Sequence, residues 1–267
     1  MFRTHAMMAT SWLLLSLPFG TARAQELWPG QSPSSFRLDI QRPSIEDADY
    51  GFFTVTATPM FRFRLKSVNL VADLPFASYA AGDESDESDF RIGNPYIGLE
   101  TAKAGSPFSL QLGGRIPLAD YGDDGTALAV GFLSDWDHVE AWVPDLIPVT
   151  ATAVYQRVTD GGLALGARLG GTGFFYTGDE SDDADLLVNY GVRVGYEKDR
   201  ALVGVALTGR WIATSDEGDD SGQLQLGLEA GYRFGSVMPM LGLRLPVDDP
   251  LKESLNTVII LGLKAWW

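Results

Sequence analysis

Residues 53–65 read FTVTATPMFRFRL, and this stretch decides the fold. Its odd-numbered positions are mostly apolar, from Phe53 to Leu65, while its even-numbered positions carry threonine, methionine and arginine. The alternation has a period of two, which predicts a β-strand because successive side chains of a strand point to opposite faces. The run is about twice as long as an ordinary globular strand, and a tilted strand crosses a bilayer with roughly 9–11 residues. The stretch therefore predicts one wall strand of a transmembrane β-barrel.

The same alternation recurs along the chain, and no helical period competes with it. Further apolar faces are Val68 to Phe76, Phe108 to Ile116, Leu163 to Leu169, Val188 to Tyr196, Val203 to Trp211, Leu224 to Tyr232, Val237 to Leu245 and Thr257 to Trp267. Short turns alternate with longer polar loops, and counting residues 36–42 as the first strand gives about twelve strands, an even number as in single-chain bacterial barrels. The predicted fold is all-β, an antiparallel up-and-down transmembrane barrel. The alternative, a secreted β-sandwich, has no need of strands this long.

The N-terminus has the layout of a secretory signal peptide. Arg3 and His5 precede an apolar run over residues 6–19, and Ala22-Arg23-Ala24 offers a small-residue cleavage site. We therefore divide the chain into a cleavable signal peptide, residues 1–24, and an outer-membrane barrel, residues 25–267; the alternative for the first segment is a buried helix. Beyond it no run of about 18 apolar residues occurs, so no transmembrane helix is predicted.

Composition excludes several classes of function. The formal net charge is −15, which argues against nucleic acid as a partner because its phosphates would be repelled. The chain has no cysteine, so disulfides, thiolate chemistry, zinc-thiolate sites and a lipoprotein anchor are excluded. No cofactor is predicted.

The C-terminal strand, residues 256–267, ends on the aromatic Trp267. It resembles the last strand of outer-membrane barrels generally, which carries an assembly signal ending in an aromatic residue, although Ala265 stands where a larger apolar residue is usual. The resemblance implies recognition by the barrel assembly machinery and a location in the outer membrane of a Gram-negative bacterium, in contact with lipid and lipopolysaccharide. Aromatic residues near strand ends are expected to form interfacial girdles; they are Tyr79, Tyr96, Trp211, Tyr232, Trp266 and Trp267.

The face opposite the apolar one is expected to line the lumen, and it is basic. Its predicted selectivity residues are Arg62, Arg64, Asp73, Glu100, Arg115, Arg168, Arg193, Arg210, Glu229, Arg244 and Lys264. Arginine binds carboxylate and phosphate bidentately, so this surface favours anions. In the alternative, arginines and carboxylates pair across the lumen and plug it, since about twelve strands lie between a filled barrel and an open pore. The excess of inward bases over acids favours a water-filled lumen.

Three predicted loops carry acidic runs, at residues 82–89, 178–185 and 215–220. Carboxylate oxygens are ligands for Ca²⁺ or Mg²⁺, and bound cations would bridge to lipopolysaccharide phosphates. The candidate ligands are Asp83, Asp86, Asp179, Asp182 and Asp183. Their spacing matches no EF-hand, so a solvated, charged rim is the alternative.

The longest predicted loop covers residues 120–145. Within it the sequence predicts a short helix over residues 133–143, capped by Ser134 and with Asp135 and Asp137 in its first turn. The segment is expected either to fold into the barrel mouth as a constriction or to lie on the surface as a cap.

His138 is the only histidine outside the predicted signal peptide. Ser134 lies four residues before it, so the two would share one helical face, but nothing orients them as a catalytic triad would. The protein is therefore not expected to be an enzyme.

Residues 91–100, RIGNPYIGLE, resemble the third-loop boundary of a family of small outer-membrane barrels. These are similar to the barrels associated with meta-pathway phenol degradation, which are regarded as transporters. The layout also resembles twelve-stranded oligosaccharide porins with a basic lumen. With the inward arginines as selectivity surface, this implies a channel or transporter for small anionic or aromatic solutes. Two alternatives stay open: a closed structural or adhesive barrel with cation-binding loops, and a lipid-modifying enzyme that depends on His138.

Overall fold

The computed structural model describes most of the chain. The described residues are 34–45, 50–51, 53–82, 87–101, 106–122, 125–135, 137–177, 184–214, 222–248, 252 and 254–267. The predicted signal peptide, residues 1–24, lies outside them, so the division of the chain stays a prediction.

Strands make up most of the described residues. In chain order they are β1 (Ser35–Ile45), β2 (Val55–Leu65), β3 (Val68–Asp73), β4 (Phe76–Ala80), β5 (Ser88–Ile92), β6 (Tyr96–Thr101), β7 (Phe108–Arg115), β8 (Leu146–Val158), β9 (Leu163–Tyr176), β10 (Ala184–Lys198), β11 (Ala201–Ile212), β12 (Gly222–Tyr232), β13 (Val237–Pro246) and β14 (Leu255–Trp266). Buried and more exposed residues alternate along most of them, as the period of two predicts.

The strands close into a barrel. Neighbours pair antiparallel, and β1 pairs with both β2 and β14, which closes the sheet. β3 and β4 pair in succession with β2, so they are halves of one wall strand interrupted at Leu74-Pro75. β5 and β6 are likewise halves of one strand, interrupted at residues 93–95. Twelve strands therefore cross the wall, and the predicted all-β, up-and-down barrel is confirmed.

The outer face of the barrel is apolar. Large apolar side chains exposed on it include Phe63, Leu99, Leu110, Leu169, Val192, Val203, Leu241 and Leu261. A continuous apolar surface of this kind is unfavourable in water and is stabilised by the hydrocarbon core of a bilayer. The outer face therefore contacts membrane lipid, and the opposite face lines the lumen.

Three predicted girdle residues, Tyr79, Tyr96 and Trp266, lie on the inward face instead: Tyr79 and Trp266 pack against buried clusters on that face. Exposed aromatic residues at strand ends include Trp211, Tyr232 and Trp267. Tyr96, however, is buried because it lies on the same side of β6 as the inward Glu100. Its ring covers Gly98 and Gly113, where an added Cβ would come within 2.4 and 2.3 Å of the phenol oxygen. Its hydroxyl accepts a hydrogen bond from the Gln111 side chain at 2.6 Å. The girdle prediction is therefore wrong for Tyr79, Tyr96 and Trp266, and Tyr96 helps to fill the lumen.

Between β7 and β8 the chain turns into the barrel. A helix, α1 (Thr126–Ser134), is followed by a short 3₁₀ helix (Val139–Ala141). Side chains of both pack into one buried cluster with Trp142 and with Phe174 of β9 and Leu187 of β10. Among the described residues, no helix is long and apolar enough to span a membrane.

The position of α1 corrects the predicted helix over residues 133–143. α1 begins after Gly125, whose φ of 71° is left-handed, and ends at Ser134. It is apolar on nearly every side because it is surrounded by protein, so it lacks the amphipathic period by which a surface helix is found. Asp135 and Asp137 follow the helix and do not stand in its first turn.

Candidate functional site

Most of the predicted selectivity residues lie buried on the inward face. They are Arg62, Asp73, Glu100, Arg115, Arg168, Arg193, Arg210, Glu229, Arg244 and Lys264. Arg64 follows the same alternation but is exposed, because it is the last residue but one of β2, beside the Lys66-Ser67 turn. Arg64 therefore lies outside the buried lumen.

Part of the lumen charge is paired within the wall. Arg62 Nε lies 2.9 Å from Glu100 Oε2, which also accepts a hydrogen bond from Asn69 Nδ2 at 3.1 Å. Arg193 and Glu229 form another buried pair. These contacts link neighbouring or nearby strands, so the wall supplies some of its own counter-charge.

Further counter-charge comes from the inward loop, which we define as residues 125–145. Glu140 is fully buried, and its Oε1 accepts a hydrogen bond from Arg115 Nε at 2.8 Å. The same guanidinium binds Asp73 through Nη1 at 2.7 Å and Nη2 at 3.3 Å. Burial raises the pKa of Glu140, and Arg115 opposes that rise. Arg115 thus joins the wall to the loop through two carboxylates.

Asp137 of the inward loop meets three strands at once. Arg244 Nη2 lies 2.8 Å from its Oδ2, and Gln225 Nε2 donates to its Oδ1 at 3.1 Å. Arg168 Nη2 donates to the same Oδ1 at the longer distance of 3.4 Å. Because these partners lie on β13, β12 and β9, the loop reaches across the lumen to that side of the wall.

Asp135 and His138 form a second polar centre on the loop. His138 Nδ1 lies 2.9 Å from Asp135 Oδ1, while Thr58 Oγ1 donates to Asp135 Oδ2 at 3.3 Å. Burial alone would raise the pKa of Asp135, but His138 and the more distant Arg244 bring it well below its usual value. Burial would lower the pKa of His138, and the Asp135 carboxylate more than offsets this and raises it. The pairing therefore favours the ionised aspartate and the protonated imidazole.

Asn94 anchors the inward loop to the wall. Its side-chain Nδ2 donates to the carbonyls of Val143 at 2.7 Å and Glu140 at 3.1 Å. Its Oδ1 accepts hydrogen bonds from the backbone N–H groups of Leu118 and Ala119, at 2.7 and 2.8 Å. Asn94 lies in the RIGNPYIGLE segment that carries the family resemblance, so that segment holds the loop in place.

The sequence missed the acids that matter most to this site. Asp135, Asp137 and Glu140 belong to a loop, so the alternation of the strands gave no reason to count them as lumen residues. The only signal in the sequence was the presence of three acids within an otherwise largely apolar segment, and the structure buries all three. Counting them brings the inward acids much closer in number to the inward bases.

A cavity of about 70 Å³ remains beneath the inward loop, room for several water molecules. The loop side is formed by His138, and the wall side includes Arg168, Arg193, Val154 and Ala206. Glycines on β9 and β10 keep it open. The inward loop therefore narrows the lumen without filling it.

Two other sequence predictions have different outcomes. The five aspartates proposed as metal ligands lie outside the described residues, and within the described part of the chain no cluster of three or more acids and histidines is placed to hold a metal ion. Ser134 is buried and its hydroxyl donates to the carbonyl of Val130 at 2.6 Å, whereas His138 binds Asp135. The structure therefore does not bring Ser134 and His138 together as a nucleophile and base.

No protein-family model and no curated protein matches the sequence. Solved structures do share the fold. An outer membrane channel from Pseudomonas putida F1 aligns over 92% of this chain and 98% of its own, with a TM-score of 0.58 and 11% identity. LpxR from Salmonella typhimurium covers 87% of this chain and 100% of its own (TM-score 0.49, 11% identity), and the KdgM porin covers 87% and 99% (0.47, 10%).

At such identities the likeness shows the fold alone, and membership of the meta-pathway family stays a prediction. The fold that this chain shares with the first of these structures is, in this chain, a closed sheet of twelve antiparallel strands with an apolar outer face. The chain is a β-barrel of the Gram-negative outer membrane.

Proposed function

We propose that the chain is an outer-membrane channel for small anionic solutes, closed in this conformation by the inward loop. The observation that carries the proposal is the pairing of Glu140 with Arg115 and of Asp137 with Arg168 and Arg244. The loop carboxylates occupy the positions that an anion would take on the lumen wall. When the loop leaves, these arginines face water, and the lumen becomes strongly basic.

A basic lumen selects anions because fixed positive charge lowers their energy in the narrow part of the pore and raises that of cations. The three guanidiniums lie on β7, β9 and β13, so they surround the path and do not form a patch on one side. Small anions would be bound at several points in turn, which permits both entry and release. Recognition of the C-terminal strand by the barrel assembly machinery stays a prediction.

The test removes the loop charges and keeps the side-chain shapes, in the variant Asp135→Asn/Asp137→Asn/Glu140→Gln. We expect its open probability in a planar bilayer to exceed that of the wild type at least about tenfold, because each charged hydrogen bond contributes roughly 1.5–3 kcal/mol to docking. The reversal potential across a salt gradient should show anion selectivity. The matched control, Glu87→Gln/Asp120→Asn/Asp160→Asn, removes the same charge from exposed positions and should behave as the wild type.

A folded triple variant that stays silent, or that conducts cations, would contradict the channel. The protein would then be better described as a closed barrel with a structural or surface role.

Docking of the inward loop is also expected to depend on pH. The pKa of His138 is raised when the loop is docked, so its proton stabilises docking below the ordinary histidine pKa of about 6.5, and this contribution is lost as pH rises through the raised value. The other charged groups facing it are Arg115, Asp73 and Glu140. The pKa of Asp135 is lowered, so its contribution is lost only at strongly acid pH.

Open probability should therefore rise as the pH is raised above about 6.5, the ordinary histidine pKa, and His138→Gln should flatten this rise. Bilayer recordings at several pH values check the expectation. An unchanged pH dependence in His138→Gln would show that another group controls it.

A further inference from the structure

We propose that the cavity beneath the inward loop is a binding site for small monocarboxylates, formed by His138 of the loop and Arg168 of β9. The inference rests on the proposed function and names the class of solute that this lumen recognises. Both side chains line the same cavity. Because one belongs to the loop and the other to the wall, the site exists only while the loop is docked.

The first argument is that donor atoms in this cavity lack partners. His138 uses Nδ1 to bind Asp135, but its Nε2 is buried and has no hydrogen-bond partner among the described residues. Arg168 uses Nη2 to reach Asp137, while its Nε and Nη1 are buried without a partner in the same part of the chain. His138 is 8% exposed, and so is the side chain of Arg168. Buried donors without acceptors cost stability, and a ligand with two acceptor oxygens removes that cost.

The second argument is the sign of the available charge. The carboxylates near the cavity are already engaged: Asp73 by Arg115, Glu100 by Arg62 and Asp137 by Arg244. They leave little for a cation to bind. Asp135 raises the pKa of His138 above its ordinary value of about 6.5, so at pH 6 the imidazole is protonated and its free Nε2 has a hydrogen to donate. The polar atoms of His138 and Arg168 that have no partner are therefore suited to bind an anion.

The third argument concerns the shape and polarity of the remaining wall. Val154 and Ala206 line the cavity, and Gly166 and Gly191 add no side chain to it. A Cβ at Gly191 would lie 3.0 Å from Arg168 Nε, so glycine leaves free the space in front of the guanidinium. The planar guanidinium matches the two oxygens of a carboxylate, and the apolar residues suit a compact hydrocarbon body. A small organic acid with one carboxylate fits both features.

The site has a direct spectroscopic probe. In protein produced without residues 1–24, which removes none of the described residues, His138 is the only histidine. Ring-¹⁵N-labelled histidine then yields the signals of this one side chain in the refolded barrel. We expect benzoate to shift the Nε2 signal saturably at pH 6, and benzamide, the neutral isostere, to leave it unchanged.

Two variants test the assignment. Arg168→Gln should weaken benzoate binding at least about tenfold, because it replaces a charged bidentate donor. Gly191→Val should abolish binding by filling the space in front of the guanidinium. Because it leaves Arg168 in place, it tests the same site if Arg168→Gln does not fold. Arg64→Gln, the same substitution at an exposed arginine, should bind benzoate as the wild type does.

An absent shift, an equal response to benzamide, or equal affinity in Arg168→Gln and the wild type would overturn the site. Bilayer recordings separate this failure from failure of the channel. Anion-selective conductance without benzoate binding would overturn the carboxylate site and leave the channel standing. Binding in a barrel whose triple variant stays silent would support the site and overturn the channel.

Discussion

Arg115→Gln is expected to lower the free energy of unfolding of the barrel by about 3–5 kcal/mol, as when one partner of a buried ion pair is removed. Arg115 is 3% exposed and binds Asp73, Glu140 and the carbonyl of Asn94. Glutamine keeps part of the volume but has neither the charge nor the fork of donors. The substitution therefore leaves two buried carboxylates without their cation.

Urea unfolding of the refolded protein in lipid vesicles, followed by tryptophan fluorescence and by the mobility difference between folded and unfolded protein on gels, measures the loss. The control is Arg64→Gln, which replaces an exposed side chain and should change the free energy of unfolding by less than roughly 0.5 kcal/mol. Equal midpoints for the two variants would contradict the central role of Arg115.

A second comparison isolates the ion pairs from the loss of packing. Asp73→Asn/Glu140→Gln removes both carboxylates, and adding Arg115→Gln to that background should cost much less than it does in the wild type. The difference arises because Arg115→Gln alone leaves two buried carboxylates without a cation. Asp73→Asn/Glu140→Gln/Arg115→Gln leaves no buried charge without a partner at this place. Additive losses would mean that Arg115 acts through its volume and not through its charge.

The barrel wall could be predicted from the sequence because apolar and polar residues alternate along each strand with a period of two. In FTVTATPMFRFRL the apolar Phe61 and Phe63 place Arg62 on the opposite face, and the structure buries that arginine against Glu100. Strand ends are less certain, since Arg64 obeys the same alternation but lies where β2 stops.

The inward loop could not be predicted in the same way. Its helix is buried on nearly all sides, so apolar residues show no stripe, and the helix was expected about seven residues too late along the chain. Asp135 and Asp137, which follow α1, were therefore expected in the first turn of a helix capped by Ser134. Their partners, Arg244 and Gln225, lie far along the chain and are brought near only by closure of the barrel.

The candidate site therefore divides into a predictable half and an unpredictable half. The arginines of the wall follow from strand alternation, whereas their occupation by Asp137 and Glu140 depends on how one loop packs. For this reason the sequence favoured a water-filled lumen, and the structure shows a lumen narrowed by charges from the loop.

Asn94→Ala is expected to release the inward loop. The substitution leaves two carbonyls and two N–H groups of the backbone without the side chain that pairs them, and unsatisfied buried groups cost about 1–3 kcal/mol each before water relieves them. Chymotrypsin should then cleave after Phe132 or Trp142 at least about tenfold faster than in the wild type. A decrease of roughly 1.4 kcal/mol in the free energy of local opening of the loop is enough for that change.

Asn69→Ala is the matched control for this release. Asn69 is also a buried asparagine, but its amide donates to Glu100 within the wall and does not touch the loop. Its loss should lower the stability of the barrel and leave the cleavage rate of the loop unchanged. Cleavage is measured on folded protein in vesicles, so a difference between the variants reports on the loop alone. If both variants resist chymotrypsin equally, the ion pairs of Arg115 and Arg244 hold the loop without Asn94, and opening must begin at those arginines.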